Sequence, residues 1–590
     1  MAPTDFYREQ TESALSAATV SEFTRTVLRR HDLLEHYVAH PDQTIATLRE
    51  TVVGGAGGQD EIFALAELSL FRAQRSASAP NDLAAALYAY AFLFPDDPRA
   101  TPDALDPRTR IACDLYNRAL ANALQVGPSD YVTLRAGAFA LPFGEVTLAF
   151  DPESLVWHDY RLVDLTPVGE LEVVGMRNRY RASGIGAPLS ARPEPIDRKY
   201  GADDLIGPNS RVPVTVVLRF DNPRRQLVTA SLEGTLEIHP TMDEGSIRIG
   251  DRSVALETDP TAVIATALAA ARPWDAELAA FFGNVLRVEA RPTLLRGFQP
   301  YRRGKVPVVF VHGTASSFFR WADMVNDLLD DPRIRAGYQF WFFTYDSGSP
   351  IAYSAYHLRK LLSERVAEFE RDGPDPALHQ MVVIGHSQGG LLTKMTAIDS
   401  GDRFWTNLNP KPFGEVPMSP PTRALLQAAF FVEPLPFVKE LIFICTPHRG
   451  SFLAGPQILR RLVQKLVRLP ADVVGAGAEI IGLSSGAEGA LSLERIPTSI
   501  DNMDPGNRFI RTLSGIPIAP GVKAHSIIAV TQTKNVELGD DGVVKYQSAH
   551  VDGVESEVIV QSSHSAQANP HTVAEVRRIL LEHLPAEPRP

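Results

Sequence analysis

The chain has 590 residues and a formal net charge of -12, with 44% hydrophobic and 22% charged residues. That length exceeds one ordinary core and implies two to four domains of soluble globular type. The acidic balance argues against a nucleic-acid binder, which would carry a basic face, and two cysteines, Cys113 and Cys445, cannot build a disulfide framework.

Residues 1–30 mix charges with small residues and lack the apolar core of a signal peptide. No run approaches bilayer-spanning length. The plain expectation is a cytoplasmic protein; an exported chain with its signal removed reads the same way. Over residues 1–130 only helices are predicted. Apolar residues recur at helical spacing over 61–75 and 81–94, Pro95-Asp96-Asp97-Pro98 ends the second stretch, and a third helix runs over 109–124. No fixed period supports a tandem repeat array, so this region reads as a helical packing or partner-binding domain.

The character changes at about residue 131. Segments 146–150, 214–220, 227–238 and 246–249 alternate or are β-branched, with Gly, Pro, Asn and Asp between them. An antiparallel, β-sandwich-like domain over 131–258 is the expectation. The polar connection holding Gly184, Gly186, Arg177, Arg179, Arg181 and Arg192 reads as a solvated loop. Residues 259–299 read as a helical linker, a helix pair interrupted at Pro273. From 300 to 590 the pattern alternates. Strands are predicted at 306–311, 340–344, 381–384, 441–445, 526–530 and 558–560, with helices at 321–329, 352–369 and 391–398 between them. Continuous apolar strands with intervening helices imply a mainly parallel sheet covered on both faces. Right-handed crossovers gather the loops after the strands at one edge, where such sheets keep their sites.

The most informative stretch is Gly385-His386-Ser387-Gln388-Gly389-Gly390. It follows the apolar run 381–384 and precedes a helical one. Strand, G-x-S-x-G, helix is the context that makes this pattern a nucleophile elbow. A serine on so sharp a turn has strained backbone angles, and neighbours without a Cβ relieve the crowding. The turn lifts the Ser387 hydroxyl above the sheet and aims the Gln388 N–H at any negative charge forming there. Gly482-Leu483-Ser484-Ser485-Gly486 matches the same pattern. It has only Ile480-Ile481 before it and Gly486-Ala487-Glu488-Gly489 where a helix belongs, so it reads as a loop.

An acyl-transferring serine needs a second N–H donor for the oxyanion, and Val311-His312-Gly313-Thr314 after the first strand offers Thr314. His312 is read as bracing that loop. The acid and base must follow in the order Ser, Asp or Glu, His. Asp541 precedes a glycine in Gly539-Asp540-Asp541-Gly542-Val543-Val544, with Asp540 read as solvent-facing. His564 lies between the last strand and the final helix, 572–584; His550 and then His571 are the next choices for the base. Ser387 is thus the candidate nucleophile, His564 the base, Asp541 its orienting acid, and the N–H groups of Thr314 and Gln388 the oxyanion donors. No cofactor is called for. His357, His379 and His448 show no metal-ligand spacing, so no metal is expected. Cys445, at the end of an apolar strand, reads as a small buried residue.

Residues from about 306 to 584 resemble the α/β-hydrolase superfamily, on its bacterial lipase and esterase side. The resemblance rests on Val311-His312-Gly313-Thr314, Gly385-His386-Ser387-Gln388-Gly389-Gly390, Thr446-Pro447-His448-Arg449-Gly450-Ser451, Asp541-Gly542-Val543-Val544, and His564 with Pro570. It implies an α/β-hydrolase catalytic domain over 300–590. One departure is plain: the family has strands before the oxyanion strand, and here the chain just upstream is short. Either the β domain lends strands or the sheet is trimmed at that edge.

Two insertions bear on substrate. Residues 402–436 are rich in proline and aromatic side chains. The insertion at 451–500 contains 457–469, where Ile458, Val463, Leu466, Val467 and Leu469 alternate with Arg460, Arg461, Lys465 and Arg468. That stretch is either an ordinary packed helix with a solvated face or a lid that touches a lipid surface. The functional expectation is a carboxylic-ester hydrolase for an apolar acyl ester or lipid. The alternatives are an acyltransferase using the same residues, or a non-catalytic scaffold whose helical region recruits a partner.

Overall fold

A computed structural model describes residues 11–125, 130–196, 205–207, 209–229, 231–270, 293–314, 316, 318–452, 471–484, 497–532 and 534–585. The chain divides into two compact units. One comprises Met1–Asp197 with Asn209–Ala267, the other Arg198–Pro208 with Leu268–Pro590. Among the described residues no helix is long and apolar enough to cross a membrane.

In the first unit the helices and strands share a large hydrophobic core, with a small second cluster at Val168, Ala262 and Val263. Helices Gln59–Ser76, Ala79–Leu93 and Pro107–Leu124 pack side by side. The middle one is buried from Asp82 to Leu93 on all sides, because Ala84, Ala85, Ala86, Ala89 and Ala91 let neighbours approach closely. The strands are β1 (Gly137–Leu141), β2 (Gly144–Phe150), β3 (Val156–Trp157), β4 (Tyr160–Pro167), β5 (Ala187–Pro195), β6 (Val212–Arg219) and β7 (Leu232–Pro240), in spatial order β1-β2-β7-β6-β5-β4-β3. All neighbours are antiparallel except β2 and β7. β8 (Ser246–Ile249) and β9 (Arg252–Ala255) make a separate two-stranded ribbon.

This is one sheet rather than the expected sandwich. Helices cover it: Tyr116, fully buried, donates its hydroxyl to Leu218 O at 2.7 Å and accepts from Leu218 N at 2.6 Å. Alternation in β2 and β7 marks which face is buried, but not whether a helix or a second sheet covers it. The strand expected over 227–238 is also revised. Pro223 opens a short helix, Pro223–Thr229, and β7 begins only at Leu232. Of the polar connection's arginines, Arg179 pairs with Asp259 and Arg181 with Glu257, both acids buried. Helix Pro260–Ala270 is the described helix of the linker and the remainder of the expected pair lies outside the described residues, but Leu294–Gly297, also expected in the helical linker, is a strand.

The second unit is built on a seven-stranded sheet. Its strands are β10 (Leu294–Gly297), β11 (Val306–Val311), β12 (Tyr338–Thr344), β13 (Met381–His386), β14 (Val438–Ile444), β15 (Lys523–Val530) and β16 (Ser556–Gln561), ordered β10-β12-β11-β13-β14-β15-β16. Only β10 runs antiparallel. β11 and β13 are buried at every position, as strands covered on both faces must be. Val309, Val311 and Val383 belong to one hydrophobic cluster with Leu358 and Leu362 of helix Ile351–Phe369, while Phe310 meets Trp321 with ring centroids 5.0 Å apart. The register sets Gly385 beside Val311 and Phe443. The strands therefore end together, and the loops after β11, β13, β14, β15 and β16 open along one edge.

At the opposite edge, buried Glu440 accepts from two histidines. His525 Nε2 is 2.7 Å from Oε1, and His583 Nδ1 contacts Oε2. This ties β14 and β15 to the final helix, Pro570–His583. Burial alone would raise the Glu440 carboxyl, but the His525 and His583 contacts outweigh it and hold it at about 2. Glu440→Gln is expected to cost about 3 kcal/mol at neutral pH, because breaking a buried pair leaves its partners uncompensated. A folded value below the ordinary 4.5 means the contribution is full above that pH and is lost as pH falls toward about 2. Urea midpoints of wild type and variant should converge through that window; a gap unchanged across it contradicts the assignment.

Candidate active site

The turn after β13 is strained and tightly enclosed. Ser387 has φ 53° and ψ -126°, a conformation that non-glycine residues rarely hold unless the surroundings impose it. A Cβ on Gly385 would lie 2.5 Å from Gly389 O, and one on Gly389 only 2.2 Å from Val311 O and 2.5 Å from His312 O. A Cβ on Gly390 would lie 1.8 Å from Thr446 Oγ1. The glycines let the helix Gln388–Lys394 start directly against the backbone of Val311 and His312. The Ser387 N–H donates to Ile444 O at 2.9 Å, which pins the turn to the neighbouring strand.

Three residues from distant parts of the chain meet at this turn. His564 Nε2 lies 2.8 Å from Ser387 Oγ, and His564 Nδ1 lies 2.7 Å from Asp541 Oδ2. The other carboxylate oxygen, Oδ1, accepts from the N–H groups of Val543 at 2.9 Å and Val544 at 2.7 Å, so the acid cannot rotate away. Gly542, at φ 93°, makes that tight turn, and Asp540 caps it through the Gly542 N–H. Asp541 is 3% exposed and Ser387 7%. With the Nδ1 proton directed at the carboxylate, Nε2 presents a lone pair to the serine hydroxyl.

The loop after β11 stands against the serine: a Cβ on Gly313 would be 2.9 Å from Ser387 Cβ. Thr314 Oγ1 donates to Gln388 Oε1 at 2.6 Å, and Gln388 Nε2 donates to Ser347 O at 3.1 Å. The two residues expected to supply oxyanion donors are thus joined by their side chains. His312 braces the loop as expected; its ring stacks on Tyr345 at 4.5 Å, and the Tyr345 hydroxyl donates to His312 O at 2.9 Å.

Residues 308–576 match the sequence profile of the Alpha/beta hydrolase family. The C-terminal unit is an α/β-hydrolase domain. A curated relative, GPI inositol-deacylase B of Yarrowia lipolytica, is 34% identical over 118 residues, covering 16% of this chain and 12% of that protein. The chain therefore matches only about an eighth of that relative's length. Among solved structures, the mature Bacillus licheniformis lipase BlEst2 is similar over 49% of this chain and 97% of its own, with 17% identity and a TM-score of 0.29. Phospholipase PlaB from Legionella pneumophila is similar over 47% of this chain and 59% of its own, with 16% identity and a TM-score of 0.29.

The hydrolase sheet is trimmed at its first edge. β10 alone precedes β11 in the chain, and beyond it the only added backbone, among the described residues, comes from Leu205 and Ile206: Ile206 bridges to Gly297, the Gly297 N–H donates to Leu205 O at 2.7 Å, and the Arg296 side chain donates to Ile206 O at 3.2 Å. The Thr446–Ser451 segment of the hydrolase domain braces the acid turn. Ser451 Oγ donates to Val543 O at 2.7 Å, Ser548 Oγ donates to Gly450 O at 2.5 Å, and Arg449 reaches Gln547 O at 2.8 Å. His448 is buried beside Phe443, and burial carries it well below its ordinary value. Lys394, at the end of the elbow helix, donates to Leu513 O at 2.8 Å, and burial draws its ammonium down to about 8.

Other candidates lie elsewhere. His550 is held by Glu557 at 2.6 Å and Asp552 at 3.2 Å, and His571 sits exposed at the start of the final helix, where Asn569 caps its N–H. Of the second G-x-S-x-G, Gly482, Leu483 and Ser484 close the helix Ala471–Ser484 instead of forming a loop, and the rest lies outside the described residues. The stretch 457–469 lies wholly outside them. Among the described residues one group of metal-ligating type gathers within 4.8 Å, His386, Cys445 and His564. Both His564 nitrogens and His386 Nε2 already hold hydrogen bonds, and burial followed by the adjacent Asp541 pushes the Cys445 thiol up, so the group is not set for a metal.

Sequence reasoning assigned no role to His386. Its Nε2 lies 2.8 Å from the backbone oxygen of His564. The available signal was a polar ring inside an otherwise apolar buried strand. The tight enclosure of the turn is tested by Gly389→Ala, which is expected to cost at least about 3 kcal/mol because backbone carbonyls cannot yield to the methyl group. Gly414→Ala, with nothing within 4 Å of the added carbon, is the control. Thermal melts that fail to separate the two variants contradict this reading.

Proposed function

We propose that this protein hydrolyses carboxylic esters of apolar acyl groups, with Ser387, His564 and Asp541 as the catalytic residues. The observation that carries the reading is the unbroken hydrogen-bonded chain from the serine hydroxyl through the imidazole to the carboxylate, at 2.8 and 2.7 Å. Ser387 Oγ attacks the ester carbonyl carbon as His564 Nε2 takes its proton. The carbonyl oxygen becomes an oxyanion, held by the backbone N–H groups of Thr314 and Gln388. Collapse breaks the bond to the alcohol, which leaves with the proton from His564. Water then attacks the acyl-Ser387 ester by the same steps and releases the acid. Asp541 holds the imidazole in the productive tautomer and offsets its charge when it is protonated.

A lipid acyl ester is the substrate class proposed. The curated relative is named a GPI inositol-deacylase. A fluorophosphonate probe is expected to label wild type and not Ser387→Ala. Asp541→Asn should lower kcat on p-nitrophenyl esters by roughly 10³- to 10⁴-fold while leaving the fold intact. Absence of labelling in wild type would favour a scaffold instead. A p-nitrophenyl series from short to long acyl chains tests the substrate class, and flat activity across it removes both the apolar-acyl preference and the lid.

A further inference from the structure

His386 is wedged between the two loops that flank the nucleophile. It ends β13 immediately before Ser387 and is 5% exposed. On one side its Nδ1 lies against Gly313, where an added Cβ would approach to 3.1 Å. On the other its Nε2 meets His564 O at 2.8 Å, and the two imidazole rings stand 5.0 Å apart. His564 O also accepts the Ala566 N–H at 2.9 Å, so that carbonyl would stay satisfied without His386. His386 Nδ1 is buried with no hydrogen-bond partner. An unpaired interior acceptor is a burden that an apolar side chain of similar size would avoid. The histidine is therefore a poor choice for packing and a good one for donating to a fixed point on the loop that carries the base.

We propose that His386 is a positioning residue, a strut whose Nε2–H holds the His564 backbone so that the imidazole stays in line between Ser387 and Asp541. Burial and then the neighbouring His564 draw the His386 ring down to about 3, so it remains an uncharged donor at working pH. An uncharged strut does not oppose the positive charge that His564 acquires when it takes the serine proton. Within the loop between β16 and the final helix, Asn569 Nδ2 also donates to Gln561 O at 3.3 Å. The Ser562 N–H donates to Val530 O at 3.1 Å, and the Ala566 N–H closes back onto His564 itself.

The proposal rests on His564 serving Ser387, and the test separates the two readings. His386→Met removes the donor and keeps the volume; His386→Gln keeps an N–H at similar reach. The Met variant is expected to melt no lower than wild type, yet to lose roughly tenfold to a hundredfold in kcat, as small misplacements of a catalytic group do. KM should stay nearly constant, and the Gln variant should recover most of the loss. Independently of turnover, the far-downfield proton resonance of the His564–Asp541 hydrogen bond should broaden or vanish in the Met variant of the full chain and return in the Gln variant. A Met variant with wild-type kcat and an unchanged resonance overturns the strut. A wild type that neither labels at Ser387 nor turns over esters, but whose downfield proton still depends on residue 386, overturns the hydrolase reading and leaves the strut standing.

Discussion

The contact on which the candidate site depends is the approach of helix Gln388–Lys394 to the backbone of the neighbouring strand. At Gly389 there is no room for a single added carbon before the carbonyls of Val311 and His312. That closeness brings the start of helix Gln388–Lys394 and the loop 312–314 to the same point, and it forces Ser387 to an unusual backbone conformation. The strain is held from several directions: the Ser387 N–H is fixed to β14, Thr446 fills the space beside Gly390, and Thr314 links to Gln388. A turn over-determined in this way keeps its hydroxyl in one place.

The carboxylate and the imidazole reach that place through the common ending of the parallel strands. Asp541 comes from the loop after β15 and His564 from the loop after β16, and each is restrained by its own backbone contacts. The Thr446–Ser451 segment acts on both: Thr446 packs beside Gly390, and Ser451 bonds the carbonyl of Val543, whose N–H holds Asp541. Cys445, which repeats the positive φ of Ser387 one strand over, immediately precedes that segment. The expectation that it is simply a small buried residue missed this bend.

What was legible in the sequence was what is local. The run ending at Ile384, the glycines and the following helix are contiguous, so the strand-turn-helix context of Ser387 could be read directly. Residues 306–311 appeared as a strand of the same extent because β11 is apolar at every position. The order Ser, Asp, His led to Asp541 and His564, which the structure joins to Ser387 by hydrogen bonds. What was not legible depends on distance in the chain. His386 meets a carbonyl 178 positions away, and Thr314 meets Gln388 across 74 positions. Periodicity marks a buried face without naming its cover, which is why a helix-covered sheet was read as a sandwich. Apolar content also carried the elbow helix too far: 391–398 was expected, but it ends at Lys394 and the chain continues to a bridge between Ile398 and Ile518.

The bridge at the first edge of the second unit's sheet bears on where this polypeptide can be divided. Leu205 and Ile206 pair with β10 although they precede it by about ninety positions, and Leu205 packs within 3.1 Å of where a Gly297 side chain would begin. A fragment cut at residue 300 discards β10 together with that cover, and one cut at 293 keeps β10 but strips its outer partner. Either cut leaves backbone donors and acceptors open for pairing between molecules, the usual route by which excised sheets self-associate.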